Sequence, residues 1–292
     1  MTETKVPARV FPRAKQDAET AAHGVQTPQT EHPAYRLAFQ DLDFLLREDL
    51  RPVRFQLELL KPELILDEAN IASTFVFYGS ARIPEPEKAR ALLAAAPAEG
   101  PARKIAERLV EKSKYYDVAR ALAQKVSNFP LDEAGKRHFV VCSGGGPSIM
   151  EAANRGALDV GAESIALNIV LPHEQAPNPY VTPALSMQFH YFALRKMHFL
   201  LRARALAAFP GGFGTFDELF ELLTLIQTGK IKPIPILLYG RAFWERVVNF
   251  PALVEEGVIS ERDLSLFTYC ETAEDGWACV RKHYAEHDPT LG

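Results

Sequence analysis

The chain has 292 residues, 47% of them hydrophobic, so it can bury one substantial core or at most two small ones. Its net charge of −4 comes without a long basic run or a basic stripe interleaved with aromatics, which argues against a nucleic-acid binder. Three scattered cysteines without a C-x-x-C pair favour a reducing cytosol, and no apolar run reaches the length of a signal-peptide core or a membrane span, so we expect a cytoplasmic protein with no membrane partner.

The N-terminal part differs in character from the rest. Residues 1–33 are rich in charge, Ala, Thr and Pro without a sustained period, and predict a disordered tail. Residues 34–71 have apolar positions at helical spacing and predict an N-terminal helical extension of one or two helices. Residues 72–292 form the predicted main domain.

The main domain alternates between two kinds of segment. Short apolar runs rich in β-branched and aromatic residues are each followed by a stretch of helical period; they read "STFVFYGS", "HFVVCSGGG", "SIALNIVLP", "LAAFPGG" and "PIPILLYG". The C-terminal "AEDGWACVRKHYAEH" predicts a closing helix. This alternation predicts an α/β fold, a doubly wound parallel sheet flanked by helices, in which ligands bind beyond the carboxyl ends of the strands.

Two of the predicted strand ends carry glycine clusters. In "VVCSGGGPSIMEAANRGA" a strand ends near Cys142 and a helix begins near Ser148, which forms an S-x-x-E pair with Glu151. Glycines at such a turn let backbone N–H groups approach an anion, and the helix start behind them carries a partial positive charge. A phosphate is the ligand this arrangement favours.

The second cluster is "FPGGFGTFDELFELL", in which Thr215 and Glu218 predict a capping box at a helix start. Each glycine turn alone fits a capped helix as well as a ligand site. Two such turns in one parallel sheet favour a site for a phosphate-bearing small molecule.

Two named nucleotide motifs fail here. A dinucleotide fingerprint from Gly144 would need a third glycine where Ile149 stands, and the next predicted strand does not end in the acidic residue that holds a ribose. A Walker loop needs a lysine before its Ser or Thr, and Gly214 precedes Thr215 instead. An NAD(P) oxidoreductase and an ATPase loop are therefore disfavoured.

Charged residues accompany the second cluster. Glu218 lies beside the predicted buried stripe of its helix, in reach of either the cap or the crevice above the sheet. Upstream, "MQFHYFALRKMHFLLRARALAAFPGG" places Arg195 and Lys196 in a predicted apolar helix. An Arg-Lys pair ordinarily lies on a solvent-exposed helix face. Here the neighbouring residues are apolar, so we expect the two charged side chains to face a crevice or a partner subunit. His190 and His198 lack metal-ligand spacing, and we expect core or surface roles for them.

The set "GSAR", "SGGGPSIMEAANRGA", "RK" and "PGGFGTFDE" resembles the LOG ("lonely guy") family over about residues 75–250. Members are cytokinin riboside 5′-monophosphate phosphoribohydrolases, formerly labelled lysine decarboxylases, and the long N-terminal segment is similar to the longer bacterial branch. The resemblance implies a Rossmann-like sheet that binds AMP or an N6-substituted relative and releases the base and ribose 5-phosphate. It also implies a homodimer or higher homo-oligomer with sites near the interface.

The resemblance implies roles for individual residues. Glu218 and Arg195 match the catalytic pair. The implied phosphate and substrate residues are Gly211, Gly212, Gly214 and Thr215 of the P-G-G-x-G-T motif, Gly144, Gly145, Gly146, Met150 and Glu151 after the second predicted strand, Gly79 and Ser80 after the first, and Lys196 of the R-K pair.

Chemistry is consistent with these roles. Cleavage of a ribosyl C–N bond passes through an oxocarbenium-like state, which a carboxylate near C1′ can stabilise or supply with an activated water. Arg195 could clamp the phosphate or the ribose. We expect no cofactor and no metal. The main alternative is a non-catalytic protein of the same fold that binds a nucleotide or carries molybdenum cofactor.

Overall fold

The computed structural model describes residues 11–172, 176–288 and 291. The chain forms two compact units, Met1–Leu57 and Glu58–Gly292. The predicted domain boundaries at 33/34 and 71/72 stay predictions. In the described part of the chain, no helix is both long and apolar enough to cross a membrane.

The first unit contains short helices and turns. They are α1 (Ala14–Ala22), α2 (Pro28–Glu31), α3 (Leu42–Leu45) and three 3₁₀ turns at Pro33–Tyr35, Ala38–Gln40 and Glu48–Leu50. None of residues 11–57 is buried. Local hydrogen bonds hold these pieces; for example, Arg54 donates to the carbonyl of Leu45 at 2.9 Å. Helix α4 (Arg51–Glu68) follows.

The second unit is built on one parallel sheet of seven strands in the order β4-β3-β2-β1-β5-β6-β7. The strands are β1 (Thr74–Tyr78), β2 (Val140–Ser143), β3 (Ile165–Ile169), β4 (Ser186–Phe189), β5 (Ala203–Ala208), β6 (Ile236–Tyr239) and β7 (Thr268–Cys270). The predicted α/β doubly wound parallel sheet flanked by helices is confirmed, and its five predicted strands correspond to β1, β2, β3, β5 and β6.

Two edge strands escaped prediction. Strand β4 lies in a stretch that the sequence predicted as the start of an apolar helix, yet Met187–Phe189 are extended and pair with β3. Strand β7 has only three residues, of which Cys270 alone is buried. Both strands are too short to establish a period of two, so tertiary pairing decides their conformation.

Helices cover both faces of this sheet. They are α5 (Pro86–Ala95), α6 (Pro101–Ser127), α7 (Ile149–Asp159), α8 (Phe192–Leu201), α9 (Phe213–Gln227), α10 (Arg241–Val247), α11 (Phe250–Glu255) and α12 (Ala273–His287), and the predicted closing helix coincides with α12. Phe75 and Phe77 of β1 enter a core with α6, α7 and α12 on one face. On the other face, Tyr78 packs edge-on against Phe199 of α8, with ring centroids 5.2 Å apart.

The strand order reverses at β1. The chain runs from β1 through β2 and β3 to β4 on one side, and then returns to place β5 on the other side of β1, where Phe77 pairs with Ala207. A crevice at the carboxyl ends of β1 and β5 is the place where ligands bind in folds of this kind. Gly79 and Ser80 follow β1, and the P-G-G loop follows β5.

Candidate active site

A buried network of polar side chains holds the glycine loop after β2. Ser143 Oγ accepts from Gly145 N at 3.0 Å and donates to the Asn154 side-chain oxygen at 2.8 Å. The Asn178 amide donates to the carbonyls of Gly145 and Gly146 at 3.1 and 3.2 Å. Because these groups are buried and paired, the loop is held in one conformation, with Gly145 at a positive φ of 74°.

Arg195 extends from α8 toward this loop. Its Nε donates to the carbonyl of Leu167 at 2.7 Å, and its guanidinium lies over the ring of Phe199 at 5.1 Å. A methyl group on Gly144 would lie 2.7 Å from Arg195 Nη2, so the guanidinium needs a residue without a side chain there. The arginine is therefore fixed by the sheet on one side and approaches the glycine loop on the other.

Glu218, on α9, forms an ion pair with Arg195. The Nη1 to Oε1 distance is 3.4 Å, and the two side chains are only 12% and 13% exposed. Burial raises the pKa of Glu218 from its ordinary value of 4.5 to about 7, against the lowering effect of Arg195. Asp217 raises this pKa as well. The two residues that the resemblance implies as catalytic therefore lie together, and the carboxyl can change its proton occupancy near neutral pH.

The capping box predicted at Thr215 and Glu218 is wrong. Gly212, extended at φ −105° and ψ −154°, is the N-cap, so α9 begins at Phe213 and no side chain caps it. Thr215 is instead buried against Gly211, where its side chain leaves no room for a Cβ. The helix start thus keeps backbone N–H groups without intrahelical or side-chain partners, which is the local condition for binding an anion.

The S-x-x-E pair of Ser148 and Glu151 does not form a capping box either. Ser148 is the N-cap of α7, but it has a positive φ of 65° and its side chain makes no cap hydrogen bond. Glu151 instead accepts from the Tyr116 hydroxyl at 2.8 Å, which ties α7 to α6.

The remaining predicted residues lie close to the two glycine loops, with one exception. Gly79 packs on Ile149, and a Cβ there would lie 2.5 Å from that side chain. Ser80 N donates to the carbonyl of Pro210 at 3.1 Å, which joins the ends of β1 and β5. The Met150 methyl group would lie 2.7 Å from a Cβ on Gly146. Gly214 faces open space.

Lys196 is the exception. Its ammonium lies 2.9 Å from Asp217 and 3.1 Å from Glu221, on the next helix. The ion pairs with these two carboxylates join α8 to α9. The positive charge of Lys196 also lowers the pKa of Glu218, without direct contact between the two side chains. The predicted substrate role of Lys196 stays a prediction, as do the roles of the other site residues.

A large cavity opens at the carboxyl ends of β1 and β5. Its volume is about 910 Å³, and Ser80, Pro210, Gly211 and Gly212 form one wall. Five basic residues also line it: Arg82, Lys104, Arg108, Lys112 and Arg246. Sequence reasoning missed these five. Arg82 ends the quoted "GSAR", and Lys104, Arg108 and Lys112 recur every four residues, a spacing that places them on one face of α6. Only the fold brings that face together with Arg82 and with Arg246 of α10.

Sequence reasoning also missed Asn154 and Asn178. Asn154 lies inside the quoted "SIMEAANRGA", and an asparagine on the apolar face of a helix is the one signal that could have singled it out.

His198 is buried, as one of its two predicted roles requires, and its ring nitrogen lies 3.1 Å from the Glu58 carbonyl. Among the described residues, no cluster of His, Cys, Asp and Glu could hold a metal ion.

Comparison with known proteins identifies relatives. The family model described as "Possible lysine decarboxylase" matches residues 150–279. Cytokinin riboside 5′-monophosphate phosphoribohydrolase LOG2 of Arabidopsis thaliana is 25% identical over 181 residues, which are 61% of this chain and 80% of that protein. LOG of Oryza sativa is 27% identical over 183 residues, covering 62% and 72%. The sequence resemblance is therefore confirmed.

A bacterial relative and two solved structures also match. Pyrimidine/purine nucleotide 5′-monophosphate nucleosidase of Escherichia coli K12 is 30% identical over 128 residues, which are 40% of this chain and 27% of that protein. A structural-genomics protein, 19% identical, superposes over 72% of this chain and 99% of its own with a TM-score of 0.44. The molybdenum cofactor carrier protein of Chlamydomonas reinhardtii, 16% identical, superposes over 73% and 99% with a TM-score of 0.42.

Proposed function

We propose that this chain, a relative of the LOG phosphoribohydrolases, hydrolyses the N-glycosidic bond of AMP or of an N6-substituted AMP. One observation carries the proposal: the partly buried Arg195–Glu218 pair lies beside the glycine loop after β2, and the pKa of Glu218 is raised to about 7. The named relatives act on nucleoside 5′-monophosphates according to their names. The glycine motifs of both loops resemble those of the LOG family.

In this proposal the 5′-phosphate binds at the start of α9. Backbone N–H groups there meet the phosphate oxygens, and the partial positive charge of the helix start adds to their attraction. Gly211 and Gly212 let the backbone approach the anion, and buried Thr215 supports the loop from beneath. The phosphate thereby fixes the ribose relative to α9.

Bond cleavage follows from this placement. The bond from C1′ to the base nitrogen breaks, and its electron pair leaves with the base, which takes up a proton. Water adds to C1′, so the products are the free base and ribose 5-phosphate. Positive charge on the sugar in the transition state is stabilised by the Glu218 carboxylate, which also orients or deprotonates the attacking water.

In this proposal Arg195 orients Glu218 and adjusts its charge. Its bonds to the Leu167 carbonyl and to Glu218 hold both charged groups in one geometry before substrate arrives. The guanidinium lowers the pKa of Glu218 and so increases the carboxylate fraction at neutral pH. It also offers donors to a phosphate or ribose oxygen.

We also propose that the protein acts as a homodimer or a larger homo-oligomer, as the family resemblance implies. Size-exclusion chromatography with light scattering measures this directly. A mass near 65 kDa would be about twice the 32.5 kDa of one chain. A monomer that is fully active would overturn the oligomer proposal and leave the catalytic one intact.

Incubation with a panel of nucleoside 5′-monophosphates tests the proposed activity. We expect chromatography to show free adenine from AMP, with one ribose 5-phosphate formed for each base. AMP or molybdopterin binding in calorimetry without release of any base from the panel would overturn the proposal and support the carrier alternative.

A further inference from the structure

Helix α8, which carries Arg195, begins at a turn that a carboxylate of α4 holds in place. Glu58 accepts from the backbone N–H of His190 at 2.7 Å through Oε1, and from that of Tyr191 at 3.1 Å through Oε2. Tyr191 is the N-cap of α8, where the partial positive charge of the helix start favours a carboxylate. Glu58 therefore fixes the turn between β4 and α8 from another helix.

One backbone hydrogen bond joins this turn to Arg195. The backbone N–H of Arg195 donates to the Tyr191 carbonyl at 3.1 Å, in the first turn of α8. The N–H of the same Tyr191 donates to Glu58. A displacement of Tyr191 is therefore passed on to the backbone of Arg195, because the hydrogen bonds of a helix tie each residue to the one four positions before it.

Two further contacts attach α4 to α8 after Arg195. The ring of His198 is buried, and its Nε2 donates to the backbone carbonyl of Glu58 at 3.1 Å. Arg202, the C-cap of α8, pairs with Glu63 at 2.8 Å. Contacts with residues 58–68 of α4 thus precede and follow Arg195 along the sequence, so α4 determines where this stretch of α8 lies.

The ion pair between Arg195 and Glu218 is sensitive to the position of α8. Its Nη1 to Oε1 distance of 3.4 Å is already longer than that of a close charge-assisted hydrogen bond. The Leu167 carbonyl accepts from Nε of the arginine and holds the guanidinium at the sheet, whereas Glu218 lies on α9. A shift of α8 would therefore separate the two charges.

We propose that Glu58 is a positioning residue, which holds the start of α8 so that Arg195 reaches Glu218. Its part in catalysis rests on the proposed function, since the ion pair serves the reaction only if the chain cleaves an N-glycosidic bond. Residues 58–68 precede the stretch that resembles the LOG family, about residues 75–250. The family motifs therefore supply the arginine, and a segment outside them holds it in place.

Carboxyl ¹³C NMR titration of Glu218 tests this role without any substrate. In Glu58→Ala the arginine should move away and its lowering effect should weaken, so the pKa of Glu218 should rise roughly half as far as in Arg195→Met or further. Loss of the Glu58 charge by itself acts in the opposite direction, because removal of a negative charge lowers the pKa of a carboxyl. A rise therefore reports the displaced arginine.

Two further variants complete the titration. Glu68→Ala is the matched control, because it removes an exposed carboxylate from the last residue of the same helix, and it should not raise the pKa of Glu218. Glu58→Gln keeps the size of the side chain and one acceptor oxygen, so it should raise this pKa by less than Glu58→Ala does. If Glu58→Ala does not fold, the direction of the change in Glu58→Gln decides.

Adenine release from AMP measures the consequence for the reaction. In Glu58→Ala we expect kcat to fall about tenfold with a smaller change in KM, because the geometry of the reacting groups is altered. Glu68→Ala should retain wild-type kinetics.

A pKa of Glu218 that stays the same or falls in Glu58→Ala overturns the inference, and so does an unchanged kcat. In either case adenine release by the wild type still upholds the proposed function. If the wild type releases no base, the proposed function fails, and the titration alone decides whether Glu58 positions Arg195.

Discussion

Glu218 is a carboxyl group whose environment opposes its ionisation. Its side chain is only 13% exposed, and Asp217 and Glu221 add negative charge nearby, so burial and these neighbours raise its pKa while Arg195 partly restores the charged form. The sequence could identify Glu218 and Arg195 through the R-K and P-G-G-x-G-T-x-x-E motifs. It could not place them 3.4 Å apart, because that distance depends on how α8 and α9 pack.

The raised pKa of Glu218 predicts a pH-dependent stability. The folded protein holds this proton more tightly than the unfolded chain does, so the stabilisation is fully present below pH 4.5 and is lost as the pH rises through about 7. The shift corresponds to about 3 kcal/mol. Chemical denaturation at pH 5 and pH 8 should show the wild type losing about that much stability relative to Glu218→Gln. Parallel stability curves for the two proteins would contradict this assignment.

Arg195 has a predicted effect of its own on that carboxyl. Replacement by methionine keeps most of the stem and removes the charge that lowers the pKa of Glu218, so the pKa should rise above 7. Carboxyl ¹³C NMR titration, assigned by difference from Glu218→Gln, measures it. Arg241→Met is the control, since Arg241 forms an exposed pair with Glu245. A pKa that stays the same or falls would show that the guanidinium does not act on Glu218.

Among the helices, α9 and α7 both begin without the side-chain cap that a T-x-x-E or S-x-x-E pattern would suggest, and the reason is the backbone conformation of the N-cap residue. A capping box requires the Ser or Thr to be the N-cap, but extended Gly212 lets α9 begin before Thr215, and Ser148 has a conformation in which its side chain makes no cap bond. Backbone conformation at glycine is not encoded in a local residue pattern. The error has a functional consequence, since uncapped N–H groups are those that can bind an anion.

The glycine loop after β2 depends on a side chain that no motif includes. Asn178 donates to two loop carbonyls and to the Asn154 side chain, and it is buried. Asn178→Ala leaves the buried Gly146 carbonyl without its donor, whereas the Gly145 carbonyl keeps the backbone N–H of residue 178 and the Asn154 oxygen keeps the Ser143 hydroxyl. The loss should cost about 1–3 kcal/mol of unfolding free energy. Denaturant unfolding measures the loss. Asn128→Ala, which removes one exposed bond to the Gln124 carbonyl, should cost less than about 0.5 kcal/mol. Equal small effects would show that the network does not hold the loop.

In the molecule as a whole, the order of the strands determines which loops lie next to one another at the crevice. Buried runs such as "TFVFY" and "ILLY" predict central strands, whereas the three-residue β7 and the edge strand β4 are stabilised by pairing that sequence does not reveal. The return of the chain to place β5 beside β1 brings Ser80 to Gly211 and creates the crevice. The spacing of Lys104, Arg108 and Lys112 indicates one face of a helix, but their position at the crevice beside Arg246 depends on tertiary packing that the sequence does not reveal.

We propose that the Arg195–Glu218 pair carries out the cleavage of the N-glycosidic bond. The direct measurement is adenine release from AMP by Glu218→Gln beside Glu245→Gln, because Glu245 forms an arginine pair at the same 3.4 Å distance on the exposed surface. We expect Glu218→Gln, still folded, to lose on the order of 10² to 10⁴ in kcat, while Glu245→Gln retains wild-type turnover. Wild-type turnover in Glu218→Gln would overturn the catalytic role of this carboxylate.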